Sequence, residues 1–345
     1  MRNAGVVKKG NGHSVYTDKF TVSVELSTFC NAACPQCPRP AAVKNKWLKT
    51  DNVSYEQFVE WFPKDTLDKI KLFDFNGTFG DPGMCPDLFE IVHYCLKNGV
   101  DVSINTNGSM RDPEFWKLIA YNNKMYDANL TILFDVDGST QEMHSKYRVG
   151  TDLHKILQNM KAASEFCNVG SFTIVFKHNQ DDVDNTIQIC KDNGATFHEV
   201  IESTRFKYGN KYQGLERCTD ERFKADPNKK GRPVRDDRFN ITDNIKCKSF
   251  EDNSLRVGVH GYLFPCCFLS QDVEEIIAHD LIWIDKLNDN NSLMKKYIHN
   301  KSFFNLNSNS FSNIVESEWF KIELKKSFTD DPHWRCIRTC GEVKC

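Results

Sequence analysis

Between residues 18 and 206, six strand-like runs alternate with helical ones, and this alternation restricts the fold more than any other feature of the chain. Residues 20–26 are β-branched and alternate as a strand does. Ser54 to Gln57 is a capping box opening a short helix, with Val53 and Phe58 placed to form a hydrophobic staple across it. Residues 70–75 read as a second strand, and helical spacing over 87–96 ends at Asn98-Gly99. A third strand over 100–104 is followed by Asp112-Pro113, an N-cap and first-turn proline that start a helix through about residue 121. Strands over 130–136, 172–176 and 197–201 alternate with helices over 152–166 and 183–191. Strands joined by helical crossovers pair in parallel. The expected class is therefore α/β, a partial (β/α)6 TIM-like barrel with its site at the carboxyl ends of the strands.

The 345 residues suit about two domains. With 40% hydrophobic and 27% charged residues the chain is ordinary for a globular protein, which excludes a disordered scaffold. No apolar run is long enough for a membrane span, and the first residues lack the apolar core of a secretion signal, so a cytoplasmic protein is expected. A net charge of −2 argues against nucleic acid or a membrane surface as partner. The pattern divides the chain into an N-terminal extension (1–17), the βα core (18–206), a polar, basic linker (207–245) and a cysteine-bearing module (246–345).

Fourteen cysteines are the second constraint. In a chain of this length without a signal, clustered cysteines point to metal or redox chemistry. Cys30-Asn-Ala-Ala-Cys34-Pro-Gln-Cys37 has the spacing C-x3-C-x2-C directly after the first strand. Three thiolates on one loop can hold three irons of a 4Fe–4S cube and leave the fourth open to a small molecule. The alternatives are a zinc knuckle, whose pairs are usually C-x2-C, or three free thiols. Cys85, Cys95, Cys167, Cys190 and Cys218 are dispersed, and Cys95 and Cys190 fall in helical patterns as small buried hydrophobes do.

At the first cluster the sequence resembles the radical S-adenosylmethionine (SAM) superfamily, over roughly residues 18–206. The resemblance implies a 4Fe–4S cluster on Cys30, Cys34 and Cys37, and SAM chelated to the open iron. It also implies an external one-electron reductant of the flavodoxin or ferredoxin type, and a 5′-deoxyadenosyl radical that abstracts hydrogen from substrate. Gln36 stands where the family usually has an aromatic residue. Gly80-Asp81-Pro82 is similar to the family's Gly-Glu-Pro segment, with Asp81 in place of Glu as acceptor for the SAM ammonium. Thr106-Asn107-Gly108 looks like its Thr-Asn-Gly segment. Asp135-Val-Asp137-Gly138, with His144, Tyr147 and Arg148 further on, is similar to a stretch of the peptide-modifying branch. There Asp135 is expected on the ribose and Arg148 on the SAM carboxylate. Read without the resemblance, the first two segments are turns and Arg148 is a surface ion pair. Lys177 to Asn179 and Arg205, just past strands five and six, are candidates for substrate contact.

In the tail, Cys247 is followed by thirteen residues and then Gly261-Tyr-Leu-Phe-Pro-Cys266, which resembles the opening of the SPASM/twitch extension of that superfamily. Cys336 and Cys340 follow a helical run beginning at Trp319, and Cys345 ends the chain. A fully liganded cluster takes four cysteines, so the six here suit one auxiliary 4Fe–4S cluster in a twitch-like domain. The expected ligands are Cys247, Cys266, Cys336 and Cys340, with Cys345 or Cys267 as alternatives, and a structural zinc on the same thiols as the competing reading. Function is then expected to be hydrogen abstraction from a peptide or protein side chain. The alternatives are oxidation or rearrangement of a small sugar, nucleotide or cofactor precursor, and a non-enzymatic metal-binding module.

Overall fold

The computed structural model describes residues 19–44, 46–202, 223–226, 241–278 and 292–343; the N-terminal extension, Arg205, Cys218, Cys345 and most of the linker lie outside them. Its centre is one sheet. β1 (Phe20–Val24), β2 (Ile70–Phe75), β3 (Asp101–Thr106), β4 (Leu130–Asp135), β5 (Asn168–Val175) and β6 (Phe197–Glu202) lie side by side, each parallel to the next. The sheet is not closed: β6-β5-β4-β3-β2-β1 stand in that order, with two strands of the C-terminal segment added beyond β1, the partial barrel the alternating pattern predicts.

The strands form where β-branched and aromatic residues can bury one face beneath the helices. Val22, Val24, Phe73, Phe75, Ile104, Ile132 and Phe134 are almost wholly inaccessible. Phe58 and Phe62, from the helix Tyr55–Trp61 and its C-cap, pack on Phe73 at 5.2 and 4.9 Å, and Trp116 packs on Phe134 at 5.4 Å. The expected caps are in place: Ser54 Oγ accepts from Gln57 N (3.1 Å), Asp112 Oδ1 from Phe115 N (2.9 Å) and Asp152 Oδ1 from Lys155 N (3.2 Å). Only half of the capping box forms, because the Gln57 amide donates to Asn307 Oδ1 (3.2 Å). Gly99 and Gly194 end their helices at φ +76° and +94°, where a Cβ would be strained.

The C-terminal segment enters the same sheet. β7 (Ile241–Ile245) pairs with β10 (Gly341–Val343) in a separate two-stranded ribbon, but β8 (Ser254–Val257) runs parallel to β1, with Ser23 opposite Arg256. β9 (Leu263–Phe264) then turns back antiparallel. The hydrophobic core is therefore continuous from the barrel into this segment: Phe311 packs on Phe20 at 5.5 Å and on Phe62 at 5.9 Å. Trp61 Nε1 donates to Asn307 Oδ1 (2.8 Å) across the same boundary. The helical run expected at Trp319 is a π-turn, Trp319–Glu323, that continues as the α-helix Leu324–Asp330. Among the described residues no helix is long and apolar enough to cross a membrane.

Asp112→Ala removes the acceptor at the first turn of the helix Pro113–Met125. It should cost about 1 kcal/mol, read as a lower urea midpoint with an unchanged denaturant slope.

Candidate functional site

The loop carrying Cys30, Cys34 and Cys37 leaves the carboxyl end of β1 and is pinned along its length. Ser27 Oγ accepts from Phe29 N (3.0 Å), Arg39 Nε donates to Thr28 O (2.9 Å), and Ala33 N donates to Val149 O (2.8 Å). Cys37 N returns to Cys34 O (3.1 Å), immediately before the helix Pro38–Lys44. Burial pushes the Cys30 thiol up to about 12 and the Cys34 thiol up to about 11, the nearby Arg148 pulling the second back. Among the described residues, no three Cys, His, Asp or Glu side chains converge to grip a single metal ion. A 4Fe–4S cube takes one thiolate per iron, so three thiols spread along one loop suit it without meeting at a point.

The loops after β2 and β3 meet this one through Asp81. That carboxylate is inaccessible and accepts four hydrogen bonds: Oδ1 from Gly83 N (2.8 Å) and Thr106 Oγ1 (2.7 Å), Oδ2 from Asn107 N (2.7 Å) and Asn107 Nδ2 (2.8 Å). Burial still holds the Asp81 carboxyl above its usual range. Asn107 Nδ2 also reaches Asn31 Oδ1 (3.0 Å) and Cys30 Sγ (3.7 Å), so Asp81 fixes the amide that lies on the first cysteine. The close approach that Gly80 permits is to the chain itself, since a Cβ there would sit 1.9 Å from Ser27 O. Gly108, at φ +72°, would drive a Cβ to 2.3 Å from the Phe134 ring.

After β4, Arg148 lies in the barrel mouth rather than on the surface. Its Nη1 is 2.9 Å from Asp135 Oδ2 and its Nε 2.6 Å from Asp137 Oδ2. Asp137 Oδ1 accepts from Ile174 N (2.6 Å), tying the pair to β5. His144 holds the segment between them. Its Nδ1 accepts from Asp137 N (3.1 Å), so Nε2 carries the proton and donates to Thr151 Oγ1 (2.9 Å), whose hydroxyl donates to Arg148 O (2.7 Å). Burial keeps this histidine neutral, its value lowered to about 3. Asp135 Oδ1 is buried with no hydrogen-bond partner. An orphaned carboxylate oxygen beside the cysteine loop is what a ligand hydroxyl would satisfy.

Asn179 is fully used in its own turn, donating to Asp137 O (3.0 Å) and Ile174 O (2.9 Å) and accepting from Phe176 N (2.7 Å), whereas Lys177 is exposed. Where Gln36 replaces an aromatic residue, Tyr147 and Phe176, 4.2 Å apart, pack with Phe223 against Cys34. Phe176 and Phe223, together with Glu25 and Arg256, are not singled out by the sequence. The one signal for Glu25 is a charge in an otherwise apolar strand end.

Cys247, Cys266, Cys336 and Cys340 come from three places in the chain and line one cavity, closed by Phe268, Leu324 and Phe328. Cys247 caps the helix Lys248–Glu251, Cys266 follows β9, and Cys336 and Cys340 lie one turn apart on the helix Trp334–Cys340. A hydrogen bond from Cys247 holds the Cys340 thiol down at about 7, and the same bond raises Cys247. Cys267, the first residue of the helix Cys267–Ala278, is not part of that lining.

A profile of the radical SAM superfamily matches residues 24–190, the strands and loops that build the barrel mouth. This segment belongs to the radical SAM superfamily. Mycofactocin maturase MftC of Mycobacterium ulcerans is 26% identical over 175 residues, a match covering 50% of this chain and 44% of the maturase. The chain thus spans less than half the length of that relative. GTP 3′,8-cyclase of Nautilia profundicola is 24% identical over 283 residues, covering 74% of this chain and 84% of the cyclase. Among solved structures, native anSMEcpe with bound AdoMet and Kp18Cys peptide superposes at a TM-score of 0.53 with 14% identity, covering 94% of this chain and 89% of that one. That likeness is one of fold. It extends through the C-terminal segment as well as the barrel. Radical SAM membership implies a 4Fe–4S cluster and SAM, and the three-thiol loop, the Asn107 amide on Cys30 and the orphaned Asp135 oxygen fit them.

Two outcomes follow from this geometry. Arg148→Ala leaves Asp135 and Asp137 buried without their cation and should destabilise the fold by about 3–5 kcal/mol, measured by denaturant unfolding before any ligand is added. Cys30 and Cys34 are protonated at neutral pH because burial raises them. Ligation needs thiolates, so loading releases protons and strengthens as pH rises toward those raised values. Iron retained against a fixed chelator should therefore be greater at pH 9 than at pH 7.

Proposed function

We propose that this chain is a radical SAM enzyme acting on a peptide substrate, with the first cysteine loop holding the catalytic cluster and the second cavity an auxiliary one. The observation that carries the reading is the meeting of the Cys30–Cys37 loop, Asn107 and the Asp135–Arg148 pair at the carboxyl ends of β1, β3 and β4. A 4Fe–4S cluster held on the three thiolates would supply one electron to SAM, whose cleavage gives methionine and a 5′-deoxyadenosyl radical able to take hydrogen from an unactivated carbon. The chain's own contribution is placement. Asp81 fixes Asn107 beside Cys30, Arg148 fixes Asp135 with one oxygen free for a hydroxyl, and Tyr147 and Phe176 give the cysteine loop an apolar wall. Lys177, exposed after β5, is assigned to substrate contact.

The peptide assignment is supported by the maturase, by PqqA peptide cyclase of Ruegeria pomeroyi (24% identical over 180 residues, covering 51% of this chain and 45% of the cyclase) and by the stretch from Asp135 to Arg148. The second reading, a small nucleotide or cofactor precursor, is favoured by the breadth of the GTP 3′,8-cyclase match. A one-electron donor of the flavodoxin or ferredoxin type is the partner this chemistry requires.

Anaerobic reconstitution should give about eight irons per chain, two cubes' worth. Four irons with one zinc would place zinc in the second cavity. Reduced wild-type protein should release 5′-deoxyadenosine from SAM, and Cys30→Ala, Cys34→Ala or Cys37→Ala should abolish it. Release at the wild-type rate from any of the three would end the radical SAM reading.

A further inference from the structure

Arg256, in the middle of β8, is 1% exposed. Its guanidinium is shared between β1 with its carboxyl end and the loop after β2. Nη2 lies 2.9 Å from Glu25 Oε2 and donates to Thr78 Oγ1 (3.2 Å), while Nη1 donates to Ser23 Oγ (2.9 Å), Asn76 O (3.2 Å) and Asn76 Oδ1 (2.5 Å). The other Glu25 oxygen accepts from Phe79 N (2.6 Å) and Gly80 N (3.2 Å). Those two amides immediately precede Asp81, the carboxylate that holds Asn107 against Cys30.

Glu25 lies at the carboxyl end of β1, five residues before Cys30, and its own N donates to Val257 O of β8 (3.0 Å). A buried carboxylate without a cation is costly, so Glu25 can serve as the acceptor for the Phe79–Gly80 amides only while Arg256 is seated. Arg256 is seated because β8 pairs with β1 and because Gly258 lets the helix Cys267–Ala278 close over the strand; a Cβ at Gly258 would sit 2.6 Å from Glu274 Oε1. That helix begins at the residue after Cys266.

We propose that Arg256 is a positioning residue: a strand outside the matched radical SAM segment supplies the cation that, through Glu25, holds the loop of Gly80 and Asp81 in place beside the first cysteine site. The inference rests on the proposed function for the meaning of that loop, but not for its placement. An Arg is required rather than a Lys, because only the planar fork can serve Glu25, Thr78 and Asn76 together.

The test uses amide hydrogen exchange of the full chain, which needs neither cluster nor SAM. In Arg256→Lys the Phe79 and Gly80 amides should exchange at least tenfold faster than in the wild type, while amides in the distant strands β4 and β5 keep their protection. If Arg256→Lys does not fold, the neutral double variant Glu25→Gln with Arg256→Met carries the same comparison, since it removes the Glu25 charge together with its cation. In reconstituted protein, the folded variant should show a KM for SAM raised at least fivefold, with kcat for its cleavage within twofold. Unchanged protection of Phe79 and Gly80 in a folded variant overturns the proposal. A rise confined to global unfolding, equal in β4 and β5, overturns it too. Absence of SAM cleavage by the wild type would count against the proposed function alone, because the exchange result does not depend on it.

Discussion

β1 is paired in parallel on both sides, with β2 and with β8, and the cysteine loop leaves from its carboxyl end. Parallel pairing orders all seven strands that take part in it the same way, so every loop that must meet a ligand emerges on one rim. It also leaves that rim rich in backbone groups the sheet does not satisfy. The chain meets them with side chains: Glu25 accepts from Phe79 and Gly80, Asp81 from Gly83 and Asn107, and Asp137 from Ile174. The site is thus built from the same carboxylates that make the barrel mouth stable.

Three buried carboxylates on one rim carry a large desolvation cost, and the chain offsets it differently for each. Glu25 and Asp137 have arginines, Arg256 and Arg148, each buried. Asp81 is met instead by four hydrogen-bond donors, and accordingly burial dominates it. Asp81→Asn therefore gives up less than the loss of either arginine, because an amide oxygen can replace one acceptor and no charge is stranded. The shorter side chain of Asp81, where the family has glutamate, is enclosed by two backbone donors, Gly83 N and Asn107 N, and two side-chain donors, Thr106 Oγ1 and Asn107 Nδ2.

The barrel was legible because its signals are local. Strand runs, the N-caps Ser54, Asp112 and Asp152, and the glycines after the helices act within a few residues, and the caps and glycines sit where the pattern puts them. β5 starts at Asn168, earlier than residue 172, since Val169-Gly-Ser carries no strong strand preference and is recruited by pairing with β4. β8 was invisible for a similar reason. Four residues with a buried arginine among them do not read as a core strand, and the Glu25 carboxylate that pairs with the arginine lies 231 residues away. Arg148 shows the same limit. The sequence places it near the site, but the spacing does not show that the fold sets two aspartates, Asp135 and Asp137, within hydrogen-bonding distance of its guanidinium.

The two cysteine sets differ in how they are assembled. Cys30, Cys34 and Cys37 share one loop whose backbone is fixed by local and neighbouring hydrogen bonds, so their spacing is largely set once β1 is paired. Cys247, Cys266, Cys336 and Cys340 come from a helix cap, a strand end and a late helix, and they meet only when the helix Trp334–Cys340 has closed on the residues that follow β9. Binding at a set assembled by tertiary structure is linked to that structure's stability, whereas binding on a single loop is linked mainly to the loop. Because β8 and the helix beginning at Cys267 also seat Arg256, closure of the second set and placement of the loop beside the first draw on the same packing.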